Sequence, residues 1–102
     1  MKIIQTLSEK IGDEIEDAKN YITLALETKT EYPSLSKALY TISTQEMEHM
    51  KMLDDSVTDI IKEYREEHGE PPEAMMAVYN YLHKKQISKA AEVKNLQSMY
   101  KE

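Results

Sequence analysis

The chain has 102 residues, carries 19 acidic against 13 basic residues for a formal net charge of −6, and contains no cysteine. Its length predicts one domain with a modest core, and the lack of cysteine excludes disulfides, cysteine-ligated zinc and iron sites and thiol catalysis. The acidic balance disfavours nucleic acid as a partner, and no segment is apolar enough for a secretion signal or a membrane span, so a cytoplasmic protein is expected.

The first predicted helix covers about residues 3–30 and should end before Pro33, because a residue that precedes proline disfavours helical geometry. Apolar residues recur along it at alternating steps of three and four, as on the buried face of a helix. One acidic residue, Glu14, interrupts this stripe. The other members are Ile4, Leu7, Ile11, Ala18, Tyr21 and Ala25.

The second predicted helix covers about residues 34–68, with Ser34 as a candidate N-cap and Gly69 as its terminator. Two polar residues, Glu46 and His49, interrupt its apolar stripe. The other members are Leu35, Leu39, Ile42, Leu53, Val57, Ile60 and Tyr64. A helix of this length in so small a chain needs a second long helix to cover it, so the two should form an antiparallel hairpin.

The last predicted helical segment covers residues 73–101 and follows the break at Pro71 and Pro72. It forms either one helix or two, and in the second alternative Ile87 and Ser88 begin the final helix as hydrophobic staple and N-cap. The chain is therefore predicted to be all-α, with one domain over residues 1–102.

Glu14, Glu46 and His49 occupy core-facing positions at nearly the same height when both helices are counted from the turn. A buried carboxylate without a partner costs several kcal/mol, and a metal ion offsets that cost. Glu46 and His49 lie one turn apart on one face and can bind the same ion. One chain offers too few ligands, but a homodimer would form a four-helix bundle with two copies of each.

This pattern resembles the ferritin-like superfamily of di-iron carboxylate proteins, in which a Glu on one helix and Glu-x-x-His on the next form each half-site. The segment Gln45-Glu46-Met47-Glu48-His49 is similar to the second-helix motif of the half-length encapsulated ferritins. The segment Asp13-Glu14-Ile15-Glu16 is similar to their acidic cluster. Asn20 stands where those relatives often carry tryptophan.

The resemblance implies a di-iron centre completed across a subunit interface and ferroxidase activity with oxygen or peroxide. Iron is the expected metal, and manganese is the alternative for a carboxylate-rich set with one imidazole per ion. The resemblance also implies that Asp13 and Glu16 handle incoming iron and that Tyr21 lies beside the metals. Residues 98–102 show no extended cargo peptide, so enclosure in a protein shell is not supported.

Two other functions stay open from the sequence. A rubrerythrin-like peroxide reductase would need a separate electron donor, and a non-catalytic helical oligomer would use the polar core residues to set pairing. Tyr21 could serve packing alone, and the acids around Glu14 could simply solvate the helix. His68 and His83 are predicted to lie on the surface.

Overall fold

The computed structural model describes residues 2–101, which form three α-helices: α1 (Lys2–Thr28), α2 (Pro33–His68) and α3 (Glu73–Ser98). No strand occurs among these residues, so the all-α prediction is confirmed. The predicted domain limits include Met1 and Glu102, which lie outside the described residues. None of the helices described here has both the length and the apolar composition needed to cross a membrane.

The helices pack as a rod of 55 × 18 × 18 Å. Its length matches the roughly 54 Å of a 36-residue helix such as α2. The chain reverses between α1 and α2, so these two helices run antiparallel as a hairpin. Helix α3 returns alongside α1, and both long helices therefore have one side covered and one side free.

The turn between α1 and α2 differs from the prediction. Pro33 is the first residue of α2, and the N-cap residue Tyr32 makes no side-chain capping hydrogen bond, so Ser34 is not the N-cap. Proline suits the first helical position because its φ angle is already helical and its missing N–H is not needed there. Gly69 ends α2 as predicted, with a φ of 78° and its N–H donating to the Arg65 carbonyl at 3.0 Å.

Helix α3 is continuous from residue 73 to 98, so the alternative with a break near Gln86 is wrong. Ile87 lies mid-helix and is 56% exposed, and it therefore cannot act as a staple. No glycine or proline interrupts this stretch, so nothing forces the helix to end. The Gln86 side chain instead donates to the Ser8 carbonyl of α1 at 2.8 Å, which fastens the middle of α3 to the hairpin.

On both long helices the buried face is rotated around the helix axis relative to the face that the apolar stripes predict. On α1, Ile15 and Ile22 are fully buried, whereas Glu14 and Tyr21, each one residue earlier, are only half-buried. On α2, Leu35 is exposed. The stripes omit seven residues of these helices that the structure buries: Ser8, Ile15, Ile22, Ser36, Ser43, Met47 and Ile61. Helix α3 causes this rotation because it buries a side that a two-helix hairpin would leave open.

Two buried serines of α2 bring it close to α1. Ser43 Oγ donates to the Ala18 carbonyl at 2.7 Å, and Ser36 Oγ donates to the Ala25 carbonyl at 2.5 Å. The small serine and alanine side chains allow the two backbones to approach, and the hydrogen bonds satisfy hydroxyls that would otherwise be buried without partners. These bonds fix how far α1 is shifted along α2, and so which residues of the two helices lie opposite each other.

Candidate metal centre

The structure brings Glu14, Glu46 and His49 together across the α1–α2 seam. One ligand atom from each side chain lies within 4.8 Å of the others. His49 Nδ1 is 3.6 Å from Glu14 Oε2 and 3.9 Å from Glu46 Oε1. These three residues are called the triad below. Their convergence is observed, and their role as metal ligands stays a prediction.

The register of the hairpin places the triad. Ser43 lies three residues before Glu46, and Ala18 lies four residues after Glu14, so the Ser43–Ala18 hydrogen bond is about one turn from both carboxylates. Shifting α1 along α2 would break this bond and separate Glu14 from the other two side chains. The hydrogen bond of the buried Ser43 hydroxyl therefore sets the register that brings Glu14 opposite Glu46 and His49.

The carboxylates of the triad are poorly satisfied by the protein alone. Glu14 Oε2 is buried and has no hydrogen-bond partner among the described residues. The pKa of Glu46 is raised above its ordinary value by a hydrogen bond with the Glu14 carboxyl, then by burial and by the charge of Glu14, while His49 lowers it. A cation between these groups would give the free oxygen a partner and remove the repulsion between the carboxylates.

The spacing of the triad suits a bound ion after a small closure. Two atoms bound to one ion through bonds of about 2.1 Å lie at most about 4.2 Å apart. Both distances from His49 Nδ1 to the carboxylates, 3.6 and 3.9 Å, fall below this limit. The triad's largest separation between ligand atoms, up to 4.8 Å, has to shorten only slightly to fall within this limit. The His49 side chain is 54% exposed and can turn towards the carboxylates. Oxygen and nitrogen donors of this kind suit iron(II) and manganese(II).

The triad lies at the edge of the single chain and not inside the core of that chain. Helix α3 covers the other side of the hairpin, where Lys19 Nζ pairs with Glu92 of α3 at 3.0 Å. Lys19 is about 140° around α1 from Glu14, and Asp54, which contacts α3, is about 140° around α2 from His49. The side chains of the triad therefore face away from α3.

Apolar side chains surround the triad on this side of the hairpin. Leu7 and Tyr21 lie seven residues before and after Glu14 on α1, and both are only partly buried. Leu53 and Ile60 continue the same side of α2 and are also partly buried. We call this surface the open face. It consists of Leu7, Glu14, Tyr21, Ile42, Glu46, His49, Leu53 and Ile60.

The remaining predicted site residues lie near the triad but not within it. Tyr21 is two turns, about 10 Å, along α1 from Glu14, so it flanks the triad and does not belong to it. Asp13 and Glu16 are exposed on other sides of α1. No contact described here tests their proposed roles in handling iron, and those roles stay predictions.

A second polar pair, Asp54 and His83, is not predicted from the sequence. His83 is only one-third exposed, so it is not a plain surface residue, and its Nδ1 lies 3.4 Å from Asp54 Oδ1. Its ring stacks on Tyr79 with the centroids 5.4 Å apart. The four-residue spacing of Tyr79 and His83 indicates a shared helix face, but nothing in the sequence shows that α2 supplies Asp54 opposite them. His68 is exposed, as predicted.

None of the protein-family models compared with the chain matches it, and no curated protein and no solved structure is similar enough to count as a match. The class of the protein therefore follows from its own residues. It is a three-helix, all-α protein that carries a carboxylate–histidine triad on an open, partly apolar face.

Proposed function

We propose that this chain is an iron-binding, ferritin-like protein that oxidises iron(II) at a site formed between two subunits. The observation that carries the proposal is the convergence of Glu14, Glu46 and His49, with a buried Glu14 Oε2 that accepts no hydrogen bond within the described residues and has the His49 imidazole 3.6 Å away. A buried carboxylate oxygen without a hydrogen bond is costly, and a divalent cation is a partner that fits the charge of the two carboxylates and the adjacent imidazole.

A second copy of the chain is part of the proposal. Each chain brings two carboxylates and one imidazole, so two chains bring four negative charges, which balance two divalent ions. The open face offers half-buried apolar side chains on both sides of the triad, and pairing two such faces would bury them. The product would be a four-helix bundle made of two α1–α2 hairpins, with α3 on the outside of each.

In the proposed reaction iron(II) is the substrate. Two iron(II) ions give up one electron each, and dioxygen takes both electrons and two protons to become hydrogen peroxide. With hydrogen peroxide as the oxidant, the same two electrons and two protons yield two water molecules. The iron(III) then passes to a store.

The chain's own groups have distinct tasks in this proposal. Glu14, Glu46 and His49 hold the ions, and the apolar flanks exclude bulk water once two open faces meet. Tyr21, on the flank, offers a phenol near the site. The exposed acids Asp13 and Glu16 make the approach to the site negative, which raises the local concentration of cations.

Oxygen consumption tests the ferroxidase activity. Anaerobic protein loaded with iron(II) and then exposed to air should consume oxygen faster than a Glu46→Ala variant. Glu48→Ala is the matched control, because Glu48 is an exposed glutamate on the same helix that points away from the triad. Equal rates for the wild type and Glu46→Ala would sink the ferroxidase proposal. Peroxide consumption that requires an added reductant would favour the rubrerythrin-like alternative.

The open face also supports a non-catalytic oligomer, because partly buried apolar residues favour pairing whether or not a metal binds. The two functions differ in their response to iron. If the face serves pairing alone, mass in solution and melting temperature will not change when iron(II) is added anaerobically. If the triad binds iron, both the dimer fraction and the melting temperature rise.

A further inference from the structure

An aspartate–histidine pair lies on α2 and α3, away from the triad. Asp54 of α2 and His83 of α3 face each other with both side chains about one-third exposed. Within residues 2–101 this is the single ion pair that links α2 to α3. Helix α3 is otherwise joined to α2 near its C-terminal end, where Gln97 donates to Ser43 Oγ at 2.9 Å.

The distance between the two side chains fits chelation better than a hydrogen bond. His83 Nδ1 and Asp54 Oδ1 are 3.4 Å apart, beyond the usual 2.7–3.2 Å of an N–H···O hydrogen bond. Two atoms bound to one tetrahedral ion through bonds of about 2.1 Å lie about 3.4 Å apart. An ion could therefore sit between these atoms without changing their separation.

The surroundings provide both support and space for an ion. Stacking on Tyr79, with an angle of 16° between the rings, restricts how the His83 imidazole can turn. A cavity of about 240 Å³ adjoins the pair; its polar wall residues are Asp54, His83, Gln86 and Lys94, and the rest of its lining is apolar. Since liquid water occupies about 30 Å³ per molecule, water ligands could complete the coordination sphere. Lys94 is exposed, and its flexible side chain can keep the ammonium group in solvent.

The donor atoms of the pair also suit a cation. One imidazole and one carboxylate form a donor set for a borderline divalent ion such as zinc(II), cobalt(II) or iron(II).

We infer that Asp54 and His83 form a second divalent-metal site, which clips α3 to α2 when it is occupied. This site does not depend on the proposed function, because it shares no ligand with the triad and Asp54 lies about 140° around α2 from His49. A bound ion would join two helices near their middle, where the described residues offer one loose ion pair. The expected consequence is that metal slows the local opening of α3.

A zinc(II) titration followed by NMR of the histidine imidazoles tests the inference. The chain has three histidines, so single His→Ala variants assign every imidazole signal. The signals of His83 should shift with saturation below millimolar zinc, and hydrogen exchange of α3 amides should slow. Asp54→Asn keeps the shape of the side chain but removes its charge, and it should weaken zinc binding at His83 at least tenfold. Asp55→Asn, at an exposed neighbour, is the matched control and should not weaken it.

The possible results separate the two sites. Zinc-dependent shifts at His49 report on the triad, and shifts at His83 report on the clip, so either can fail alone. The site is refuted if the His83 signals do not move, or if they move equally in Asp54→Asn. Saturable shifts at His83 without slower hydrogen exchange in α3 would refute the claim that a bound ion fastens α3 to α2.

Discussion

Replacing Glu14 with leucine tests whether this carboxylate awaits a cation or contributes to stability without one. In the metal-free protein the side chain is 26% exposed, and its buried Oε2 has no hydrogen-bond partner. A buried, unsatisfied polar group costs about 1–3 kcal/mol. Because part of the side chain reaches solvent, we take the lower half of this range. Metal-free Glu14→Leu should therefore be about 1–2 kcal/mol more stable than the wild type.

A melting-temperature assay can resolve an effect of this size. For a domain of about 100 residues, 1 kcal/mol shifts the melting temperature by about 4–8 °C, so Glu14→Leu should melt at least about 4 °C higher without metal. With iron(II) at 100 times its dissociation constant, the wild type should gain about 2.7 kcal/mol and the variant almost nothing. The comparison must be made anaerobically at one protein concentration, with the mass in solution recorded, because leucine on the open face also favours pairing.

Glu27→Leu is the matched control, since Glu27 is an exposed glutamate on the same helix to which no role in iron binding is assigned. It should change the stability by no more than about 0.5 kcal/mol and leave the response to iron intact. The reasoning is refuted if metal-free Glu14→Leu is destabilised by more than 1 kcal/mol. It is also refuted if iron stabilises Glu14→Leu as much as it stabilises the wild type.

Three further predictions concern the same site. Because the pKa of Glu46 is raised in the folded state, the metal-free folded protein favours the protonated carboxyl. The stability that this protonated carboxyl contributes is complete below about pH 4 and is lost as the pH rises through the pKa of Glu46 in the folded state. In chemical denaturation, Glu46→Gln should gain stability over the wild type from pH 4 to 7, and a constant difference would contradict this. Ser43→Ala removes the hydrogen bond to the Ala18 carbonyl, so it should cost about 1–2 kcal/mol and weaken iron binding, whereas unchanged affinity would show that the bond does not set the register. Because the proposed site needs two chains, iron affinity should fall when the protein is diluted until the dimer dissociates, and affinity independent of protein concentration would contradict a shared site.

Much of the hairpin could be predicted from local sequence. The three-and-four spacing of apolar residues indicated two long helices, and Pro33 and Gly69 marked the turn and the end of α2. The N-cap was misplaced because proline can begin a helix as well as precede one. The sequence alone does not decide whether α3 is continuous, because the staple-and-cap pattern at Ile87 and Ser88 also occurs by chance inside helices.

The orientation of the core could not be predicted, because it depends on where α3 packs. Glu14 shares a stripe with Ile11 and Ala18, and α3 shifts the buried side towards Ile15. The position of the triad at an edge and the Asp54–His83 pair follow from the same packing, which no periodicity within one helix reveals. The convergence of Glu14, Glu46 and His49 can be predicted from the sequence, however, because it depends only on how many residues separate each of them from the short α1–α2 turn.

The most direct test of the central proposal is an anaerobic iron(II) titration with the mass of the protein measured in the same samples. The account predicts saturation of the triad at one iron per chain, together with a dimer, and loss of this binding in His49→Ala but not in His68→Ala. Any weaker binding at Asp54 and His83 is removed beforehand by using the Asp54→Asn background for all samples. Saturable binding by a monomer, or iron binding that His49→Ala leaves unchanged, would contradict the account.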